Sequence, residues 1–366
     1  MTTIRKTENG EIEKIIKVAN KSFKAIRPRN FDFRTEVPFI YGTKKDYSDV
    51  HHVLEEDGKI VSLVGNLIRD IKIGDKTFSY SNVGTVCTLP KYRGKGYMKK
   101  LMKKVEQENI DKKVVFSILT GNRKRYNHFG YESSGFKFEY SFAPNITGYI
   151  KSDKVVFLEN IENNDYEILY NLYKKYSPFC LREKEEFYTH FLDPRHYKQK
   201  IIFDGEVVGY FVMKQNTIIE LIITDSKLIT PLIIKLFEKP YPYITFRLNP
   251  LRKKLVEFFE KISCNKQMIE SNIYKIYDTK AFIELMLELN KKIVKFPDCT
   301  SCIKVDDEVI KITIKDGEYT IKESTSIPTE EFTKTSFARF CMSITTYDHT
   351  PKIFPLLFDI DDLDMF

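Results

Sequence analysis

The stretch "VCTLPKYRGKGYMKKLM", residues 86–102, has the residue types of an anion site. An apolar run through Val86, Cys87 and Thr88 ends at Pro90, Arg93-Gly94-Lys95-Gly96 turns tightly, and an amphipathic pattern begins at Tyr97, Met98 and Lys99. Such a turn directs free backbone N–H groups at one point, and the dipole of the helix that follows adds partial positive charge there. Gly94 and Gly96 allow the main chain to approach an anion with no Cβ in between. Lys95, Lys99 and Lys100 add charge suited to a pyrophosphate. The bland reading is a basic helix start. No Gly-Lys-Ser/Thr follows four variable residues, so this is not a Walker loop, and a dinucleotide fingerprint needs a third glycine and a later acid.

Two more stretches carry usable chemistry. In "LTGNRKRYNHFGYESSGF", residues 119–136, Gly121-Asn122 closes the apolar run "VVFSIL" and places the phenols Tyr126 and Tyr131 nearby. The chain ends in "LLFDIDDLDMF", where Asp359, Asp361, Asp362 and Asp364 are interleaved with apolar residues. From composition alone, a solvated acidic tail is the preferred reading of it. Cys299-x-x-Cys302 is half of a zinc motif with no second pair, only Cys341 and His349 nearby, so free thiols and no metal are expected. His51-His52 opens a strand, His128 is a rim residue, and "RLNPLRKKLVEFF" is a solvated helix face.

The elements that must position these residues fall into three parts. "EIEKIIKVANKSF" has helical spacing, and "HHVLEEDGKIVSLVGNLIRDIKIGDKTFSYSNVGTVCTL" is a strand meander broken at Asp57-Gly58 and Gly74-Asp75. Pro144-Asn145 marks a boundary. Beyond it "IFDGEVVGYFVMK" echoes "EEDGKIVSLVGNLI", and "IIELIITDSKLITPLIIKLF" repeats strand-then-helix without the Gly-x-Gly turn. A second copy of the first fold, its phosphate loop lost, is inferred, against two unrelated α/β pieces. From about Thr279 come the helix "KAFIELMLELNKKI", strands hinged at Asp316-Gly317, and a helix expected to start at Pro328 and Thr329. The expected division is 1–145, 146–278 and 279–366.

The 366 residues suit two or three domains, and 42% apolar with 14% aromatic residues fills real cores. No run near 18 apolar residues occurs, so no membrane-spanning helix is expected. Six scattered cysteines and no signal-like start suggest a cytoplasmic protein. The net charge of +8 comes from a lysine-rich surface alternating with acids, which argues against nucleic acid as a partner.

Arg93-x-x-Gly96-x-Met98 resembles the acetyl-CoA motif of the GNAT acetyltransferases, with Met98 in place of the usual small residue. "RYNHFGYES" further resembles the enhanced intracellular survival (Eis) family of bacterial N-acetyltransferases. The resemblance implies an α/β (α+β) fold with two GNAT-type mixed-sheet domains, the second degenerate, and a C-terminal sterol-carrier-protein-like domain. It implies acetyl-CoA as co-substrate, held by residues 86–88, 93–99, Gly121 and Asn122, with backbone N–H groups at Val86, Cys87 and Thr88 polarising the acyl oxygen. Tyr126 then protonates the departing thiolate, since a phenol with a pKa of about 10 stays protonated at neutral pH. Packing aromatic is its plain alternative, and Tyr131 is the competing acid. The α-carboxylate of Phe366 would be the general base, raised by burial beside the tail aspartates. The implied acceptors are primary amines of cationic small molecules, aminoglycoside- or polyamine-like, and the implied assembly is a homo-oligomer, up to a hexamer. A non-catalytic lipid- or ligand-binding protein with acetyl-CoA as regulatory ligand is the reading from another class.

Overall fold

The computed structural model describes residues 1–24, 26, 31–263, 265–342 and 356–365. The first part runs β1 (Thr2–Lys6), α1 (Ile12–Phe23), α2 (Phe33–Glu36), α3 (Pro38–Tyr41), β2 (His51–Glu56), β3 (Lys59–Ile73) and β4 (Lys76–Thr88). It continues with α4 (Tyr97–Asp111), β5 (Phe116–Leu119), α5 (Arg123–Tyr126) and β6 (Glu132–Phe142). The second comprises β7 (Phe157–Asn160), α6 (Tyr166–Tyr176), α7 (Lys184–Phe187), β8 (His196–Phe203), β9 (Glu206–Lys214), β10 (Thr217–Ile223), α8 (Ile229–Leu236), β11 (Ile244–Leu248), α9 (Lys253–Ile262) and β12 (Lys266–Ile276). The third has α10 (Thr279–Asn290), β13 (Cys299–Val305), β14 (Glu308–Lys315), β15 (Glu318–Glu323), β16 (Glu330–Phe332) and α11 (Lys334–Met342).

Three hairpins turn at Asp-Gly, β2–β3, β8–β9 and β14–β15. Asp57-Gly58 and the echoed Asp204-Gly205 both take positive φ at both residues, the two-residue turn that matches strand twist. Twelve strands make one sheet in the order β1-β2-β3-β4-β5-β12-β6-β11-β10-β9-β8-β7. Two pairs are parallel, β4 with β5 and β10 with β11, and each is joined through a helix, α4 or α8. The strand plan of one half thus recurs in the other. The halves also interlock: β12 follows β11 in the chain but pairs with β5, while β6 follows β5 but pairs with β11. The two units expected from the sequence therefore share one mixed sheet instead of stacking two.

The last part covers one face of this sheet. Phe282 and Met286 of α10 and Phe337 of α11 share a core with Tyr80, Phe116 and Tyr274 of the large sheet. Its own sheet has the order β15-β14-β13-β16. The helix expected at Pro328 and Thr329 starts later. Glu330–Phe332 pairs parallel with β13, and α11 begins at Lys334, where Thr333 and Ser336 exchange backbone-to-hydroxyl bonds in a capping pair. A free strand edge at β13 wins over a weak N-terminal helix signal, because pairing satisfies backbone groups that a frayed first turn would leave open.

Candidate active site

β4 and β5 pair for three rungs, Tyr80–Phe116, Ser81–Ser117 and Asn82–Ile118, and then separate. On its other edge β4 carries a bulge opposite Leu63 to Gly65, where Thr85 takes φ +49°. Leu89 N–H donates to the Val61 carbonyl at 2.9 Å, and Cys87 pairs with Leu63. Strand alternation therefore turns the N–H groups of Val86 and Thr88 into the gap between β4 and β5. Cys87, expected as a third donor, turns its N–H to β3. Burial pushes its thiol up to about 12, so it stays protonated and poorly nucleophilic.

The gap opens into a cavity of about 580 Å3 that runs from Val86, Cys87 and Thr88 to Gly94, Gly96 and Lys99. Gly94 and Gly96 have φ +81° and +73°, and a Cβ at either would meet no atom within 4 Å, so backbone conformation and not crowding requires glycine. Gly96 is the N-cap of the 15-residue α4 and supplies no side-chain cap, which leaves the first-turn N–H groups of Tyr97, Met98 and Lys99 for a ligand. This suits a pyrophosphate. Not every expected cation faces it. Lys95 donates to Glu56 at 2.8 Å, and the Tyr97 hydroxyl bonds the same carboxylate. Arg93 does line the cavity, and its guanidinium bonds the main-chain carbonyls of Thr88 and Ser22 at 3.2 Å each, tying α1 to β4. Ser22, Phe23 and Ile26 also line the cavity; Ala25 and residues 27–30 lie outside the described residues.

Gly121 and Asn122 do not line this cavity. Asn122 is the N-cap of α5, and Gly121 makes room for Tyr126, whose Cε2 would lie 2.6 Å from a Cβ there. Tyr126 ends α5 with its ring buried edge-on against Tyr131 at 6.2 Å. Burial raises its phenol, while Arg125 opposes the shift. The competitor Tyr131 is engaged elsewhere: its hydroxyl is hydrogen-bonded to Ser117 at 2.7 Å in a fully buried setting. Arg125, His128 and Phe129, neighbours of Tyr126, line the cavity.

The acidic tail is not solvated. Leu356, Phe358, Asp359, Ile360 and Asp364 are each at most 1% exposed. Phe358 packs edge-on against Phe116 at 5.4 Å and beside Tyr274 and Phe179. Burying one such ring contributes about 1.5–3 kcal/mol. Asn82, at the last rung before the strands separate, donates to the Asp364 carbonyl at 2.8 Å. The tail thus runs to the gap. Phe366 itself lies outside the described residues.

Asp359, Asp362 and Asp364 of the tail face cations of the chain itself. Asp364 meets Arg182 at 2.8 and 2.9 Å and His190 at 3.2 Å. Burial alone would raise its carboxyl, but Arg182 and His190 hold it well below the usual range. Asp362 pairs with Lys137 and Arg247 and is lowered against its burial. Asp359 bonds Ser271, and burial raises it to about 8; Asp361 is raised by burial to about 6. Arg182 and His190 gave no local signal in the sequence, since their partners are distant in the chain.

A second cavity, about 330 Å3, lies where the three parts meet, bounded by Phe39, Thr120, Asn272 and Met365. Its acids are already paired: Glu36 and Asp193 with Arg195, Asp362 with Arg247. Cys302 is a buried free thiol, and His349 lies outside the described residues.

The parted parallel strands with a glycine turn at a helix N-terminus match an established family. Residues 3–134 match the family model described as an acetyltransferase (GNAT) domain. This first part is a GNAT acetyltransferase domain. With it, the protein is an acyltransferase. Among solved structures, a conserved protein from Enterococcus faecalis V583, described as a probable N-acyltransferase, is 14% identical with a TM-score of 0.67, covering 93% of this chain and 90% of its own. A GCN5-related N-acetyltransferase from Anabaena variabilis is 12% identical with TM-score 0.67, covering 92% and 89%. Eis1 from Mycobacterium abscessus is 11% identical with TM-score 0.65, covering 92% and 88%. At such identities the likeness is one of fold, and it extends well beyond the GNAT domain. No curated protein sequence matches the chain.

Proposed function

We propose that the protein transfers the acetyl group of acetyl-CoA directly to a primary amine of a small molecule. The observation that carries this reading is the single gap between β4 and β5, reached from the glycine turn at Gly94 and Gly96 and from the buried tail at Asp364. The amine nitrogen attacks the thioester carbon, the N–C bond forms, and the C–S bond breaks. The N–H groups of Val86 and Thr88 stabilise the negative oxygen that develops on the way. The amine's proton passes to the terminal carboxylate of Phe366, and Tyr126 donates a proton to the leaving thiolate. No covalent enzyme intermediate is needed, which agrees with a Cys87 thiol held protonated.

The acceptor cavity beside Met365 has polar walls whose acids are ion-paired, so an acceptor binds through hydrogen bonds at least as much as through charge. Aminoglycoside- and polyamine-like amines, implied by the Eis resemblance, form the first panel, with neutral and zwitterionic amines beside them. On this reading residues 279–366, which the Eis resemblance implies are sterol-carrier-protein-like, deliver the tail. A homo-oligomer, up to a hexamer, belongs to the same reading and is measurable by light scattering. The decisive experiment follows free-thiol release from acetyl-CoA across the panel. Amine-dependent release supports the enzyme; tight acetyl-CoA binding without release to any amine would favour the regulatory-ligand alternative.

A further inference from the structure

Thr85 is the one β-branched residue with positive φ among the described residues, at +49° in the middle of β4. The other non-glycine residues in that region, such as Asp57, Lys113 and Gln215, are not β-branched. A β-branched residue is a strong outlier there and persists only when its surroundings over-determine it. Thr85 lies beside Val86, whose N–H faces the gap. Its hydroxyl is 2.6 Å from the Tyr41 hydroxyl, which is 2.8 Å from His51 Nε2, while His51 Nδ1 is 3.1 Å from the Ser48 carbonyl. A carbonyl only accepts, so Nδ1 carries the proton. In the neutral ring Nε2 then accepts from Tyr41, and Tyr41 accepts from Thr85. Every hydroxyl proton in this chain has one direction. Tyr41 and His51 are both buried, on α3 and at the start of β2, so the chain fastens the bulge of β4 to two other elements.

We infer that Tyr41 and His51 are positioning residues for acyl transfer: they lock Thr85 in its left-handed conformation and thereby aim the Val86 N–H at the thioester oxygen. The inference rests on the reading of Val86 and Thr88 as oxyanion donors. Neither Tyr41 nor His51 needs to touch substrate for this. Glycine adopts the same φ without a lock, which supplies a test that a merely structural role would not pass.

The experiment compares the wild type, Tyr41→Phe and the double variant Tyr41→Phe/Thr85→Gly. Loss of a well-aimed oxyanion donor costs about 100- to 1,000-fold in kcat, and a misaimed one costs part of that. Tyr41→Phe is expected to lower kcat by about 10- to 100-fold with the KM for acetyl-CoA within about two-fold, and Thr85→Gly is expected to restore most of the loss. Wild-type kcat in Tyr41→Phe, or a loss that Thr85→Gly leaves untouched, overturns the inference. Amide hydrogen exchange at Cys87 and Leu89, the β4 residues that pair with β3 on either side of Thr88, reads the same geometry without turnover. It should quicken in Tyr41→Phe and recover in the double variant, and unchanged exchange overturns the inference even if the wild type acetylates no amine in the panel.

Discussion

Arg182 and Asp364, 182 positions apart in the chain, form a two-pronged ion pair with Nε to Oδ1 at 2.8 Å and Nη2 to Oδ2 at 2.9 Å. Neither side chain is more than 1% exposed. The same guanidinium reaches Glu220 at 2.9 Å and lies 4.7 Å from the Tyr173 ring centre, while Tyr210 donates to Glu220 at 2.8 Å. One cation from the second part therefore serves two carboxylates and fixes the tail whose end meets Asn82. Replacing Arg182 by methionine removes the ion pair of buried Glu220 and leaves Asp364 with His190 and the more distant Arg69, 3.8 Å away. A loss of about 3–5 kcal/mol is expected in urea unfolding, with Asp364→Asn milder because the amide still accepts from Arg182. Equal stability of Arg182→Met and wild type would count against the pair as the tail's anchor.

The tail carboxylates give stability opposite pH slopes. Asp364 is held below its ordinary value, so its contribution is present above about pH 4 and is lost as pH falls further. Asp359 is raised to about 8 by burial, which outweighs the opposing Lys137 ammonium 3.6 Å away. The folded state then binds the extra proton, and stability falls as pH rises from about 4 to 8. Asp359→Asn should therefore stabilise the protein more at pH 8 than at pH 5 in paired urea titrations. A gain that does not change with pH would contradict this.

Removing Phe366, or extending the chain beyond it, should abolish amine acetylation while acetyl-CoA still binds, as read by calorimetry. Full turnover in a C-terminally tagged protein removes the terminal carboxylate from the mechanism.

Gly96 is left-handed at the start of α4. Gly96→Ala adds a strain of about 1–2 kcal/mol at that φ, which corresponds to a KM for acetyl-CoA about 5- to 30-fold higher if the turn gives way. An unchanged KM means the N–H groups of this turn do not bind the cofactor.

Tyr126→Phe keeps the ring that Gly121 accommodates and removes the proton donor. Turnover should fall about 100-fold, in the range of a lost general acid, with acetyl-CoA affinity preserved. An unchanged rate moves the acid role to another group.

Local chemistry determined much of this protein in advance. Alternating apolar residues marked the strands of β2 to β4, Asp57-Gly58 and Gly74-Asp75 marked their turns, and Arg93 to Gly96 marked the anion turn, because each rests on backbone preferences a few residues long. The echo of residues 55–68 in residues 202–214 was likewise visible in the sequence. Tertiary structure decided the rest. Whether Asp359 to Asp364 meet water or cations depends on Arg182, Lys137, His190 and Arg247, none of them near in sequence. The exchange of β6 and β12 between the halves depends on which edge each strand meets, which no local pattern encodes. The positive φ of Thr85 was equally invisible, since its threonine signals an ordinary strand and its hydroxyl partner, Tyr41, lies 44 positions away.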